Sequence, residues 1–163
     1  MKNLYIVGMM GSGKTCIGRM VAKKRGIRFV DTDALIEEQA GMSVAEIFAA
    51  EGEEGFRQRE TEAQRSLSEQ KNCVISTGGG IVVRDENIEL MRNNGTVVWL
   101  KRDLDVVLEN PRIRRRPLLA EDPSVIFDLM EQRTPAYKKA CHFVVYNNED
   151  RFSTVKDILR IIR

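Results

Sequence analysis

The chain has 163 residues, of which 42% are hydrophobic and 31% charged, with a formal net charge of +2. That length fills one core and is too short for two ordinary domains. So small a net charge does not by itself argue for nucleic acid or a membrane surface, and no apolar run is long enough to span a bilayer.

Residues 4–7 (Leu-Tyr-Ile-Val) form a short apolar run rich in strand formers, the pattern of a buried parallel strand. This opening does not have the form of a secretion signal, which places a charged stretch before an apolar one. The run leads into Gly8-Met9-Met10-Gly11-Ser12-Gly13-Lys14-Thr15, which fits the phosphate-loop pattern G-x-x-x-x-G-K-[ST]. Glycines allow the backbone to approach an anion closely. Successive N–H groups and the positive end of the next helix then face the phosphates. Lys14 reaches the β- and γ-phosphates, and the Thr15 hydroxyl ligates Mg²⁺. Ile17, Met20 and Val21 follow at helical spacing, with Arg19, Lys23, Lys24 and Arg25 among them and Gly26 as a stop. Strand, loop and helix together mark a nucleoside triphosphate site; an ordinary glycine-rich turn would not need all three. Cys16 lies in the first helical turn, where a thiol pKa can fall. With Cys73 and Cys141 it makes an odd, widely spaced set without C-x-x-C pairs, so the three are expected as small buried residues in a reducing compartment, not as a disulfide framework or zinc site.

Residues 28–30 are the second strand candidate. Asp31-Thr32-Asp33 follows it, placing both carboxylates at the strand's C-terminal end. One could face Mg²⁺ and the other an acceptor hydroxyl; the same residues also suit a turn and a helix N-cap. Residues 43–70 form a long, mostly helical excursion, opened by a capping box at Ser43-Val44-Ala45-Glu46; Thr61-Glu62-Ala63-Gln64 repeats the box pattern inside a longer helix. Within the excursion, Phe56-Arg57-Gln58-Arg59-Glu60 sets Arg57 and Glu60 three apart on one helix face. Arg57 could grip a carboxylate bidentately or lie on a solvated surface.

The third strand candidate, residues 73–76, ends in Thr77-Gly78-Gly79-Gly80, which permits close approach of a ligand to backbone donors. Asp85 precedes the helical segment 88–91, and Asn94-Gly95 closes it before a fourth strand at 96–100. Residues 110–123, rich in Arg and Pro, are expected as a loop. Its Arg112-Ile113-Arg114-Arg115-Arg116-Pro117-Leu118-Leu119 holds the densest positive charge in the chain. No aromatic residues are interleaved there for base stacking, whereas an Arg on a mobile loop can stabilise the charge of phosphoryl transfer. Arg133-Thr134-Pro135-Ala136-Tyr137 places another Arg just before an expected proline break. The only histidine, His142, excludes a multi-histidine metal site and starts a structural fifth strand at 142–146. Ser153 is expected to cap the last helix, whose apolar face is Val155, Ile158, Leu159 and Ile162.

Alternating strands and helices argue an α/β fold, a parallel sheet with helices on both faces. Ligands then bind outside the carboxyl ends of the strands, where the two insertions leave. A GTPase would want D-x-x-G and N-K-x-D, and neither occurs; a motor-type ATPase usually ends its third strand in an Asp, where this chain has glycines.

Taken together, Gly8–Thr15, Asp31-Thr32-Asp33, Phe56-Arg57 with Glu60, Gly78-Gly79-Gly80, Arg116-Pro117-Leu118-Leu119 and Arg133 ahead of Tyr137 resemble, in order and over nearly the full length, the shikimate kinase family of nucleoside-monophosphate-kinase-like P-loop proteins. The resemblance implies a single domain over 1–163 with a three-layer α/β/α fold. Its five-stranded parallel sheet would run in order 2-3-1-4-5, with an acceptor-binding region over about 32–70 and a lid over about 110–123. It implies ATP-dependent phosphorylation of the shikimate 3-hydroxyl, a step toward chorismate and the aromatic amino acids. The enzyme would be a cytoplasmic monomer with small-molecule partners and no nucleic acid or membrane. ATP would meet Gly11, Ser12, Gly13, Lys14, Thr15, Cys16 and Arg116, with Arg112 taking the adenine position. Asp33 would bind the ring hydroxyls and orient or deprotonate the attacking one. Arg57 and Arg133 would grip the carboxylate, and Gly78, Gly79 and Gly80 would offer backbone donors. Arg116 would close over the phosphates, with Lys14 and Asp33 completing the catalytic group. Thr15 and Asp31 would hold Mg²⁺. A related small-molecule kinase acting on gluconate or a nucleotide shares the loop and the fold; the paired arginines favour a carboxylate-bearing acceptor.

Overall fold

A computed structural model of the chain describes residues 2–163. Strand β1 (Asn3–Val7) is followed by α1 (Lys14–Arg25), β2 (Arg28–Asp31), α2 (Thr32–Ala40), α3 (Val44–Ser68) and β3 (Cys73–Ser76). A 3₁₀ turn (Ile81–Val83), α4 (Asp85–Asn94) and β4 (Gly95–Lys101) come next, then α5 (Leu104–Leu108), α6 (Pro111–Arg114), α7 (Val125–Ala140), β5 (Phe143–Tyr146) and α8 (Arg151–Ile161). The strands form one sheet in order β2-β3-β1-β4-β5, and every pairing is parallel.

Side-chain alternation along β1 explains the layers. Leu4 and Ile6 face a core shared with Ile17 and Val21 of α1 and Val155 and Ile158 of α8. Tyr5 and Val7 face the opposite core, with Leu67 of α3, Met91 of α4 and Tyr137 of α7. Both faces of the strand are covered, so it reads as a continuous apolar run. A third cluster, Ile36, Ile47, Phe56 and Ala63, holds α2 against α3. No helix among the described residues is long and apolar enough to cross a membrane.

All five strands fall within a residue of their sequence positions at either end. Ser43 caps α3 as the pattern predicts, its Oγ accepting from Glu46 N at 3.1 Å, and Thr61 lies buried well inside that helix. The long excursion is mostly helical as expected, with one bend at Gly52, whose φ 72° and ψ −178° are open only to glycine. Four local expectations are corrected. Pro135 does not break α7; buried Ile126, Tyr137 and Ala140 hold the helix on both sides of it, and the Thr134 hydroxyl bonds Met130 O at 2.7 Å. Gly95 is extended and begins β4 instead of capping α4; a Cβ there would run into Asn3 O, so close strand approach is what selects glycine. The last helix is capped by Asp150, which accepts from Phe152 N at 3.1 Å, so Ser153 falls inside the first turn. Residues 110–123 are not wholly loop, because Asn110 caps the single helical turn α6, with Pro111 at its first position. His142 is structural as expected: its Nδ1 accepts from Val97 N at 2.9 Å at the start of β5.

Candidate active site

The phosphate loop leaves β1 and ends on the first turn of α1. Gly13 caps that helix at φ 97°, a left-handed conformation that L side chains rarely adopt, and a Cβ there would lie 2.5 Å from Asn147 Nδ2. Lys14 is only 8% exposed, and its Nζ donates to Gly8 O and Met9 O at 2.8 Å each. Burial lowers its pKa to about 8, partly offset by the nearby Asp33 carboxylate. Thr15 Oγ1 donates to Asp31 Oδ2 at 2.9 Å and lies 3.4 Å from Ser76 Oγ at the end of β3.

The capping reading of Asp31-Thr32-Asp33 is realised, and the same segment also faces the phosphate loop. Asp31 Oδ1 accepts from Ala34 N at 3.1 Å and caps α2, while its other oxygen faces Thr15. Thr32 is buried and accepts from Gly78 N at 3.1 Å, which ties the start of α2 to the glycine triplet. Asp33 stands in the first turn of α2, and burial together with the like charge of Asp31 raises its pKa.

Arg57 is not on a solvated surface. It is 8% exposed, and its Nη1 donates to the fully buried Glu60 carboxylate at 3.0 Å, with Glu53 at 3.5 Å as a second partner. Burial raises the Glu60 pKa against the opposing pull of Arg57.

The glycine triplet packs against these groups atom on atom. A Cβ on Gly78 would lie 2.9 Å from Asp33 Oδ1 and 3.0 Å from Glu60 Oε2, and one on Gly79 would lie 3.2 Å from an Arg133 Nη. One on Gly80 would run into the Arg57 guanidinium. Side chains at these positions would fill the space that the four charged groups share.

One cavity of about 390 Å³ joins the two halves. Gly11, Gly13, Lys14, Thr15, Cys16 and Asp31 line its loop side. Asp33, Arg57, Gly78, Gly79, Gly80 and Arg133 line the other, and Arg116 reaches it from the segment after α6. Asp33 Oδ1, Arg57 Nε and Glu60 Oε2 are buried with no hydrogen-bond partner among the described residues, so the wall has polar capacity to spend on a ligand. Three expected positions fall outside this arrangement or differ from it. Ser12 is buried in the loop and does not line the cavity. Arg112 is exposed on α6 and does not line it either. Cys16 is exposed at the cavity instead of buried, because the loop side of α1 faces open space, whereas Cys73 is buried as expected and Cys141 is half-buried.

Sequence reasoning passed over Glu60 as a member of the site, although its i+3 spacing from Arg57 carried the signal. It also left Asn147 unassigned. That side chain donates to Ser12 O at 2.9 Å and accepts from Thr154 Oγ1 at 3.0 Å, bracing the phosphate loop from behind. A lone Asn after a strand gives no sign of this in sequence.

The donor set fits Mg²⁺. No group of three or more His, Cys, Asp or Glu among the described residues could cage an ion. A hydroxyl beside a carboxylate, Thr15 and Asp31, is the sparse set that Mg²⁺ accepts when substrate phosphates and water complete its shell.

Residues 10–163 match the family model described as shikimate kinase. A shikimate kinase of Symbiobacterium thermophilum is 48% identical over 145 residues, covering 86% of this chain and 83% of its own. One of Caldanaerobacter subterraneus is 43% identical over 163 residues, covering 98% and 95%. The structure of the Acinetobacter baumannii shikimate kinase, solved in complex with shikimate, superimposes with a TM-score of 0.94 at 37% identity, covering 99% of this chain and 93% of that one. With a loop, sheet order and cavity of this kind, and with relatives this similar over almost its whole length, the chain belongs to the shikimate kinase family.

Proposed function

We propose that the chain transfers the γ-phosphoryl group of ATP to the 3-hydroxyl of shikimate, giving shikimate 3-phosphate and ADP on the route to chorismate and the aromatic amino acids. The observation that carries this reading is the joining of two unlike half-sites in one cavity. One is a phosphate loop with Lys14 and Thr15; the other is a pair of arginines, Arg57 and Arg133, beside the Asp33 carboxylate.

Lys14 and the N–H groups at the start of α1 neutralise the β- and γ-phosphates. Arg57 and Arg133 hold the acceptor's carboxylate through planar, charge-assisted forks. The Gly79 and Gly80 N–H groups supply further donors, the Gly78 N–H expected for this role being already committed to Thr32, and Asp33 accepts the hydrogen bond of the attacking hydroxyl. The hydroxyl oxygen bonds the γ-phosphorus as the β–γ bridging bond breaks. The bridging electrons leave on ADP, and the proton passes to Asp33. Burial supports that last role, since it raises the affinity of Asp33 for a proton. Orientation carries most of the gain in such a transfer, so a strong base is not required. Thr15 and Asp31 would hold Mg²⁺, which would supply charge neutralisation for the phosphate oxygens.

In this reading the segment over about 110–123 acts as a lid. It carries Arg116 to the phosphates and Leu118 over the mouth, excluding water that would otherwise hydrolyse ATP. Residues of about 32–70 form the acceptor region of a single domain. One chain supplies both halves of the cavity, so the working unit is taken as a monomer, acting in the cytoplasm on small molecules alone.

A coupled ADP-release assay with Mg-ATP and a panel of shikimate, gluconate and nucleoside monophosphates tests the proposal. Shikimate is expected to stimulate release. Stimulation by gluconate or a nucleotide without any by shikimate overturns the assignment.

A further inference from the structure

Tyr137 is fully buried, yet its hydroxyl reaches the wall of the cavity. It donates to Gly79 O at 2.6 Å and stands 3.6 Å from Met9 Sδ in the phosphate loop. Its ring stacks on Trp99 of β4 with centroids 5.2 Å apart. Arg133 lies one helical turn earlier on α7, and its guanidinium stands beside Gly79 as well: a Cβ on Gly79 would lie 3.2 Å from an Arg133 Nη. A phenylalanine would fill this space and stack as well. The hydroxyl adds only polar contacts, and burying it is costly unless they are made. Those contacts have a geometric consequence. The peptide between Gly79 and Gly80 is planar and trans, so a carbonyl fixed on Tyr137 aims the Gly80 N–H the opposite way, out of the core.

We propose that Tyr137 is a positioning residue for the acceptor, holding the Gly79 peptide and the Arg133 guanidinium in one fixed register so that backbone donor and arginine fork meet the same acceptor. The proposal rests on the reading above, in which Arg133 grips the carboxylate of shikimate. The hydroxyl is fully buried behind Gly79 and does not itself line the cavity, so its loss acts on acceptor binding. It does not act on nucleotide binding or on the chemical step.

The test is a two-by-two kinetic cycle of wild type, Tyr137→Phe, Arg133→Lys and the double variant, with thermal unfolding of each. Tyr137→Phe is expected to raise the KM for shikimate about five- to tenfold, the size of one net hydrogen bond. Its kcat and its KM for ATP stay within about twofold of wild type. In the Arg133→Lys background the same change is expected to raise that KM by a smaller factor than in wild type, because one of the two groups it positions is gone. An unmoved shikimate KM in Tyr137→Phe overturns the proposal, as does full additivity in the cycle. A lower melting temperature together with a lower kcat and a higher KM for both substrates shows a merely structural role and overturns it too. A wild type without shikimate turnover, or an Arg133→Lys variant with unchanged shikimate KM, instead overturns the underlying reading and removes the proposal with it.

Discussion

Thr15 Oγ1 and Asp31 Oδ2 lie 2.9 Å apart, the hydroxyl donating, and this bond joins the first turn of α1 to the end of β2. Asp31 therefore has two duties that substitution can separate. Asn caps helices as well as Asp does, so Asp31→Asn should keep the bond from Ala34 N and melt within about 2 °C of wild type. It removes the negative charge beside Thr15, and the Mg²⁺ concentration for half-maximal activity should rise about tenfold, the effect of one weakened ligand. Asp31→Ala loses both duties; the lost cap of about 1 kcal/mol should lower the melting temperature by about 2–4 °C. A magnesium titration of Asp31→Asn that overlays the wild type would remove Asp31 from the metal site.

Gly80 tests the acceptor clamp without backbone strain. Its φ is −96°, which alanine adopts freely, yet a Cβ there meets the Arg57 guanidinium. The guanidinium is the far end of a flexible side chain, so the fold should survive Gly80→Ala while the bond from Arg57 to Glu60 is disturbed. A charge-assisted hydrogen bond contributes about 1.5–3 kcal/mol, so the KM for shikimate should rise at least about tenfold with the KM for ATP unchanged. Equal rises in both constants would point to a general collapse of the cavity and count against a clamp at Arg57.

How far the site could be read from sequence depends on where each signal is carried. The phosphate loop and the strands were legible because their patterns are dense and local. Arg57 was ambiguous because its burial is created by Gly80 and Glu60 packing on it, and the Gly80 contact joins segments far apart in the chain. Asp31 resisted a choice between cap and site because it is the cap of α2 and also faces Thr15. Ser153 and Asp150 are both good caps, and only the path of the chain out of β5 selects Asp150. Pro135 misled because tertiary packing of Ile126 and Tyr137 outweighs a local preference.

His142 offers a pH test free of overlapping signals, since it is the only histidine. Its Nδ1 accepts from Val97 N, and partial burial, with the charges of Arg92 and Lys2, holds its pKa below the usual 6.5. Between the folded value and 6.5 the unfolded chain therefore binds the extra proton. The stabilisation is complete above 6.5 and is lost as pH falls through the folded value. A proton NMR titration should find its single histidine midpoint below 6.5. His142→Ala should lose less melting temperature than wild type on going from neutral pH to about pH 5. A midpoint at or above 6.5 would contradict the hydrogen bond to Val97.

Asn147 is the residue least visible in sequence, and its geometry makes a sharper prediction than its chemistry alone. Its backbone N donates to Lys101 O at 2.7 Å, its Nδ2 donates to Ser12 O at 2.9 Å, and its Oδ1 takes the Thr154 hydroxyl. The side chain is thus held from α8 and in turn holds the phosphate loop at the residue before Gly13. Asn147→Ala takes the side-chain donor from Ser12 O, at a cost of about 1–3 kcal/mol for a buried orphan, while the Thr154 hydroxyl keeps its longer contacts to Asp150 O and Tyr146 O. Because the loop is the proposed ATP side of the cavity and not the acceptor side, the loss should appear as a rise of about tenfold in the KM for ATP, with the KM for shikimate within about twofold. Asn147→Asp should be worse. It replaces a donor with a carboxylate facing Ser12 O and adds negative charge close to where the phosphates bind. If Asn147→Asp binds ATP better than Asn147→Ala, the donated bond to Ser12 is not what holds the loop.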